Sequence, residues 1–174
     1  MSPTVDAYVG LGSNLGESVA TLRAALTALD AISGTHLVRA SHFYRTPAWG
    51  VTEQPDFLNA VAMVRTQLPA AELLAAMLDI ERAAGRNRSA DGSDRWGPRT
   101  LDLDLLLYGD AVVDVPGLHV PHPHLHERAF ALVPLVEIAP DTVIPGVGRA
   151  RDALARMETA DIEALTYTDP PADA

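Results

Sequence analysis

The run from Phe57 to Arg65 is apolar on both sides of a two-residue period, interrupted before Arg65 only by Asn59. Phe57, Asn59, Val61 and Met63 fall on one side and Leu58, Ala60, Ala62 and Val64 on the other, which predicts a strand. Val5 to Leu11 alternates weakly and predicts the first strand, and Thr35 to Tyr44 is also strand-like. Between them Val19, Leu22, Leu26 and Leu29 recur at helical spacing, so a helix is expected from Val19 to Leu29, stopped before Gly34. Gly10 to Gly16 reads as a tight turn with Ser13 or Asn14 capping that helix. A second helix begins at Leu68-Pro69, runs to about Ala84 on Leu73, Leu74, Met77, Leu78 and Ile80, and ends at Gly85. Leu101 to Tyr108 is nearly all apolar and reads as a buried strand. Gly109-Asp110 turns the chain into a short edge strand at Val112-Val113. Helical stretches follow from Arg128 to about Ala139 and from Arg151 to Met157, then a last strand from Ile162 to Tyr167. Thr168 to Ala174 is expected to fray. No repeat or linker divides residues 1–174, so a single domain is expected.

The apolar run at 101–108 is broken only by Asp102 and Asp104. Side chains alternate across a strand, so both carboxylates point to one side. Two acids among leucines repel and are costly to desolvate unless a cation joins them. A solvated sheet face would account for a bare Asp-x-Asp. Arg99 immediately before it favours a divalent metal with phosphate, since Mg²⁺ takes one or two carboxylates with waters and phosphate oxygens.

Composition sharpens this picture. All 13 basic side chains are arginine and cysteine is absent, which removes thiol catalysis, a lysine Schiff base and the P-loop lysine. A cysteine-free chain without a stretch of roughly 20 apolar residues, and with no visible signal peptide, fits a cytoplasmic protein with no membrane association. The net charge of −10 opposes nucleic acid as a partner. Yet Arg82, Arg86, Arg88, Arg95 and Arg99 crowd one stretch, suggesting that a small polyanion is held by bidentate guanidinium groups. Arg86 and Arg88 lie at the root of a segment, 86–94, without apolar periodicity, where a closing lid would carry phosphate clamps. Thr46-Pro47-Ala48-Trp49-Gly50 to Gln54-Pro55 forms a loop rich in ring and amide groups, as expected of a lip over a flat ligand, although local packing of Trp49 is the commoner role. His119, His122, His124 and His126 invite a zinc site. With two prolines and no carboxylate or thiolate inside the cluster, surface positions or single contacts account for them better.

Six stretches, in order, resemble one family. They are Gly10-Leu11-Gly12-Ser13-Asn14-Leu15-Gly16, Tyr44-Arg45-Thr46-Pro47, Gln54-Pro55-Asp56-Phe57-Leu58-Asn59, Glu81-Arg82-x-x-Gly85-Arg86-x-Arg88, Arg95-Trp96-Gly97-Pro98-Arg99-Thr100-Leu101-Asp102-Leu103-Asp104 and Pro121-His122-Pro123-x-x-x-x-Arg128-x-Phe130. Together they cover roughly residues 5 to 140 and resemble 6-hydroxymethyl-7,8-dihydropterin pyrophosphokinase of folate biosynthesis. The resemblance implies an α+β ferredoxin-like sandwich, a mostly antiparallel sheet with helices on its faces. It also implies transfer of pyrophosphate from ATP to the pterin hydroxymethyl group, giving AMP.

By the same resemblance Asp102 and Asp104 would hold two Mg²⁺ ions. Arg86 and Arg88 would close over the phosphates, Arg99 and Arg128 would assist, and His122 would contact the nucleotide. Glu81, Leu105 and the backbone around Leu74 and His119 match positions lining the ATP pocket. The pterin would stack between Phe57 and Phe130, its edge read by Asn59, Thr46 and the Pro47–Trp49 backbone, with Trp96 between the two ligands. Small-molecule substrates and a monomer are expected. Leu78, Gly117, Pro123 and Phe57 depart from the residues common in the family, and the loop before Trp96 is about three residues longer. Two other readings remain: a nucleotidyl- or glycosyltransferase with an Asp-x-Asp strand, and a non-catalytic phosphometabolite-binding module.

Overall fold

Two strands carry the centre of the sheet, β1 (Val5–Ser13) and β4 (Phe57–Thr66), paired antiparallel from Val5 opposite Thr66 to Ser13 opposite Leu58. The computed structural model describes residues 3–13, 18–46, 57–86 and 101–165, without the side chain of Arg86. On the far side of β1 lies β5 (Asp102–Tyr108). On the far side of β4 lie β2 (Thr35–Ala40) and β3 (Tyr44–Thr46), and each takes half of that edge. A two-residue strand, β10 (Glu163–Ala164), pairs with β3 and closes the sheet. All these pairings are antiparallel. With β2 and β3 taken as one split strand, the order is ferredoxin-like.

Helices cover both faces. On one, α1 (Ser18–Asp30) and α2 (Ala70–Glu81) bury Leu22, Leu26, Leu29, Leu73 and Met77 against Val9, Leu11, Ala62, Val64, Leu103 and Leu105. On the other, α3 (Ala129–Ile138) and α4 (Ala150–Leu154) bury Leu132, Leu135, Ile138 and Ala153 against Val61, Met63, Leu106 and Leu107. The alternation of β4 is therefore the division between two cores. Two hairpins complete the chain: β6 (Val113–Val115) with β7 (Leu118–Val120), and β8 (Val143–Ile144) with β9 (Gly148–Arg149).

Several boundaries differ from the periodicity. Strand β1 runs on through Gly10-Leu11-Gly12 to Ser13, so the glycines lie in the sheet and Ser13 is not a cap. Pairing with both β4 and β5 overrides the weak strand propensity of glycine. The expected strand from Thr35 to Tyr44 divides at residues 41–43, where Ser41 Oγ accepts the Val61 N–H at 3.0 Å. Helix α2 stops at Glu81, and a π-helical turn, Arg82–Arg86, carries the chain through Gly85. In β5 the register against β1 shifts between Tyr8 and Val9, leaving Leu106 as a bulge. The bulge turns Leu106 and Leu107 both towards α3, so Leu105-Leu106-Leu107 is buried without strict alternation.

Helix α3 is tied to the β2–β3 corner by Glu137, which accepts from the Tyr44 hydroxyl at 2.7 Å and from the His42 backbone N–H at 3.0 Å. Burial first, then the Glu137 carboxylate, pushes the Tyr44 phenol well above its ordinary value. A raised folded-state pKa contributes stability that is complete below the unfolded value of about 10 and is lost as pH rises through the folded value. Tyr44→Phe is therefore expected to flatten the alkaline loss of stability above about pH 10. Urea midpoints compared across that range check this, and parallel wild-type and variant curves would count against it.

Candidate active site

Across the sheet, Asp102 lies opposite Gly12, Gly12 opposite Asn59, and Asn59 opposite Tyr44. This row ends at Ala164 of β10. Helix α3 packs over the Val61 and Met63 part of this face and leaves the end carrying Asp102, Gly12, Asn59, Phe57 and Thr46 open. The resulting cavity is about 740 Å³. Its floor is the two alternate glycines, Gly10 and Gly12. Its roof is the start of α3, with Arg128, Ala129 and Phe130.

The floor is flat because neither residue carries a side chain, and at Gly12 there is little room for one. A Cβ on Gly12 would sit 3.1 Å from Asn59 Oδ1, and one on Gly10 would sit 3.4 Å from a Leu106 methyl. Asn59 is buried, and its Nδ2 donates to Thr46 Oγ1 at 3.1 Å. In this orientation Oδ1 faces the glycine side, where it can accept from a flat donor edge. Gly12→Ala is expected to displace the Asn59 amide and weaken binding of a flat ligand about tenfold, corresponding to roughly 1–2 kcal/mol of overpacking. Ligand titration against wild type checks this, and unchanged affinity would show that the floor does not touch ligand.

At the β5 end Asp104 meets two further groups. Its Oδ1 is 4.0 Å from His122 Nε2 and its Oδ2 is 3.8 Å from an Arg128 guanidinium nitrogen. Both distances exceed a hydrogen bond, so the carboxylate is flanked rather than saturated. The His122 backbone N–H donates to Leu106 O at 2.9 Å, which fixes the imidazole beside the bulge. His122 Nδ1 accepts the His124 N–H at 3.1 Å, so the neutral ring carries its proton on Nε2, towards Asp104. Burial lowers the His122 pKa, opposed by Asp104 and assisted by Arg128, His124 and His119. A neutral donor results, not an ion pair. Arg128 stands over Phe130 at 5.7 Å from the ring centroid, which restrains the guanidinium.

Thus Thr46, Phe57, Asn59, Asp102, Asp104, His122, Arg128 and Phe130 line one cavity. Leu74, Glu81, Leu105 and His119 do not. Leu105 is in the core, and His119 Nδ1 lies 2.6 Å from Asp114 Oδ1. Glu81 is buried and accepts the Leu103 N–H at 2.6 Å. Pro47, Trp49, Arg88, Trp96, Arg99 and the Arg86 side chain lie outside the described residues. Among the described residues no group of three or more metal-ligating side chains converges. His124 lies 3.2 Å and His126 3.8 Å from Glu127. Two features escaped the sequence reading. The glycine floor was signalled by Gly10 and Gly12 two residues apart, hence on one face. The lining residues Glu158, Asp161 and Ile162 belong to no motif.

Residues 8–140 match the family described as 7,8-dihydro-6-hydroxymethylpterin-pyrophosphokinase. The chain belongs to that family. Similar proteins named 2-amino-4-hydroxy-6-hydroxymethyldihydropteridine pyrophosphokinase include one from Methylorubrum extorquens, 48% identical over 157 residues, 90% of this chain and 96% of that one. Another, from Haemophilus influenzae, is 47% identical over 141 residues, 81% and 86% of the two chains. Among solved structures, the wild-type Plasmodium falciparum HPPK-DHPS superposes with a TM-score of 0.70 at 13% identity, over 90% of this chain. This chain spans 45% of that one, less than half its length. At such low identity the likeness concerns the fold, and it agrees with the pyrophosphokinase family in its antiparallel α+β architecture.

Proposed function

We propose that this protein transfers the pyrophosphoryl group of ATP to the hydroxymethyl oxygen of 6-hydroxymethyl-7,8-dihydropterin, forming the pterin pyrophosphate and AMP, a step of folate biosynthesis. The observation that carries the reading is the single trench with an acid pair at one end and an aromatic and amide end beyond the glycine floor. In the reaction the hydroxymethyl oxygen bonds to the β-phosphorus, the bond from that phosphorus to the α,β-bridging oxygen breaks, and AMP departs as the hydroxyl proton is lost.

Phe57 and Phe130 provide the rings against which the pterin stacks, and Asn59 Oδ1 accepts from its donor edge. The Thr46 hydroxyl holds that amide. Arg128 and the His122 Nε2–H stabilise charge on the transferring group. The acid pair suits Mg²⁺: two carboxylates half open to the cavity, with no third protein ligand required. Asp102 and Asp104 would hold two such ions, which neutralise phosphate charge when bound. Arg86, Arg88 and Arg99 supply the remaining positive groups on the phosphates, and Trp96 separates the ligands. Leu105 and the backbone around Leu74 and His119, outside the cavity described above, serve the adenine side. The protein acts as a cytoplasmic monomer on small molecules alone. No described helix is long and apolar enough to cross a membrane.

The test is AMP formation from MgATP with and without 6-hydroxymethyl-7,8-dihydropterin. Pterin-dependent AMP is expected, with a stoichiometric pterin pyrophosphate. Pyrophosphate release would favour a nucleotidyltransferase, and no reaction from folded protein would leave a binding module. Arg88→Ala is expected to lower turnover far more than pterin affinity, because its partners are phosphates. Equal losses in the two quantities would remove the lid assignment.

A further inference from the structure

The cavity wall opposite the acid pair comes from the chain after α4, beyond the residues that match the family. This segment is fastened to β3 at three points. Glu163 and Ala164 pair with Arg45 and Tyr44, the Glu163 carboxylate accepts from Arg45 at 2.9 Å, and the Leu165 N–H donates to Phe43 O at 2.8 Å. Continuing that register sets Ile162 beside Thr46, which lines the cavity. Four strand spacings separate β10 from β5, about 19 Å in all. The segment is therefore a fixed side of the trench, far from the phosphate end.

That wall carries Ile162 with two carboxylates, Glu158 and Asp161. Among the described residues, neither acid has a hydrogen-bond or ion-pair partner. Glu163, in the same segment, has Arg45. The two acids thus present negative charge without a described counter-ion to whatever enters beside Phe57 and Phe130, while Arg128, the arginine among the described lining residues, stands at the other side, near Asp104. A neutral ring rich in donors gains from such a wall, and a ring bearing a carboxylate or phosphate is repelled.

We propose that Glu158 and Asp161, held in place by the β10–β3 pairing, are specificity determinants that admit neutral heterocycles and reject anionic ones. This rests on the pterin reading of the same cavity. It makes the wall a filter against carboxylated or phosphorylated pterins, and it sets the direction in which a substrate with an anionic partner can lie.

The experiment measures dissociation constants of the intact protein, with a nonhydrolysable MgATP analogue, for 6-hydroxymethylpterin and for its N2-carboxymethyl derivative, whose carboxylate extends from the pyrimidine edge, away from the phosphates. The quantity of interest is their ratio, compared among wild type, Glu158→Gln/Asp161→Asn, and the charge-matched control Glu72→Gln/Asp110→Asn, whose positions are exposed and outside the cavity. The double variant is expected to reduce discrimination against the carboxylated ring about fivefold at low salt. The control should retain the wild-type ratio, and raising ionic strength should shrink the difference. An unchanged ratio in the double variant, or an equal change in the control, would overturn the filter while leaving the enzyme reading intact. Failure of wild type to bind the neutral pterin would overturn both.

Discussion

Asp104→Ala is expected to reduce pterin-dependent AMP formation by roughly three orders of magnitude or more, with little change in thermal stability, and Asp102→Ala to reduce AMP formation on the same scale. The scale follows from the task. Dications and fixed charges supply most of the barrier lowering in phosphoryl transfer, where the protein does little covalent chemistry. Asp104 is about half exposed, its nearest charged or ionisable partners among the described residues are 3.8 and 4.0 Å away, and its neighbours on β5 remain packed without it. Its removal costs the fold little, since exposed positions lacking tight contacts usually change stability by less than about 0.5 kcal/mol. What remains is Arg128 and His122 facing an anionic substrate without the acid pair that would hold Mg²⁺. Steady-state AMP release with a melting curve for each variant checks both halves. A non-catalytic module predicts that ligand affinity and metal response are unchanged by Asp104→Ala. AMP persisting at near wild-type rate would remove the metal role from this strand.

The acid pair was legible because a strand has period two: among leucines, two aspartates two apart can lie only on one side, and they do. The division of β4 into two faces was legible for the same reason. The glycine floor was harder to see, since glycine reads locally as a turn and only pairing on both sides of β1 makes Gly10 and Gly12 part of a sheet. The bulge at Leu106 has no local signature, because a run of leucines suits either face. The wall at Glu158, Asp161 and Ile162 depends on long-range pairing of two residues with β3, and no periodicity of two residues can announce it. The resemblance named residues by motif, and motif membership does not distinguish a side chain in the cavity from one that supports it. Glu81 is the case that shows the difference.

Glu81→Ala is expected to lower both stability and turnover, and Glu81→Gln to recover most of the stability. Glu81 is the last residue of α2, 4% exposed, and its carboxylate accepts the backbone N–H of Leu103. Leu103 sits between Asp102 and Asp104, and among the described strands β5 pairs with β1 alone. The bond therefore secures the edge of the strand away from β1 at the acid pair. It does so one residue before the π turn that leads towards Arg86 and Arg88. A charged acceptor on a buried N–H makes a strong hydrogen bond, and leaving that N–H unpaired costs about 1–3 kcal/mol. At roughly 2–4 °C per kcal/mol for a chain of this size, melting should fall by about 2–12 °C. The glutamine keeps an oxygen that can accept the same N–H, so melting should return most of the way. Turnover should fall in the alanine variant because the strand that sets the spacing of the two acids has lost its outer support. Melting temperature, kcat and ATP affinity measured on both variants separate this from a direct nucleotide contact. If Glu81→Ala weakens ATP binding while melting stays at the wild-type value, Glu81 touches nucleotide and is not the anchor of β5.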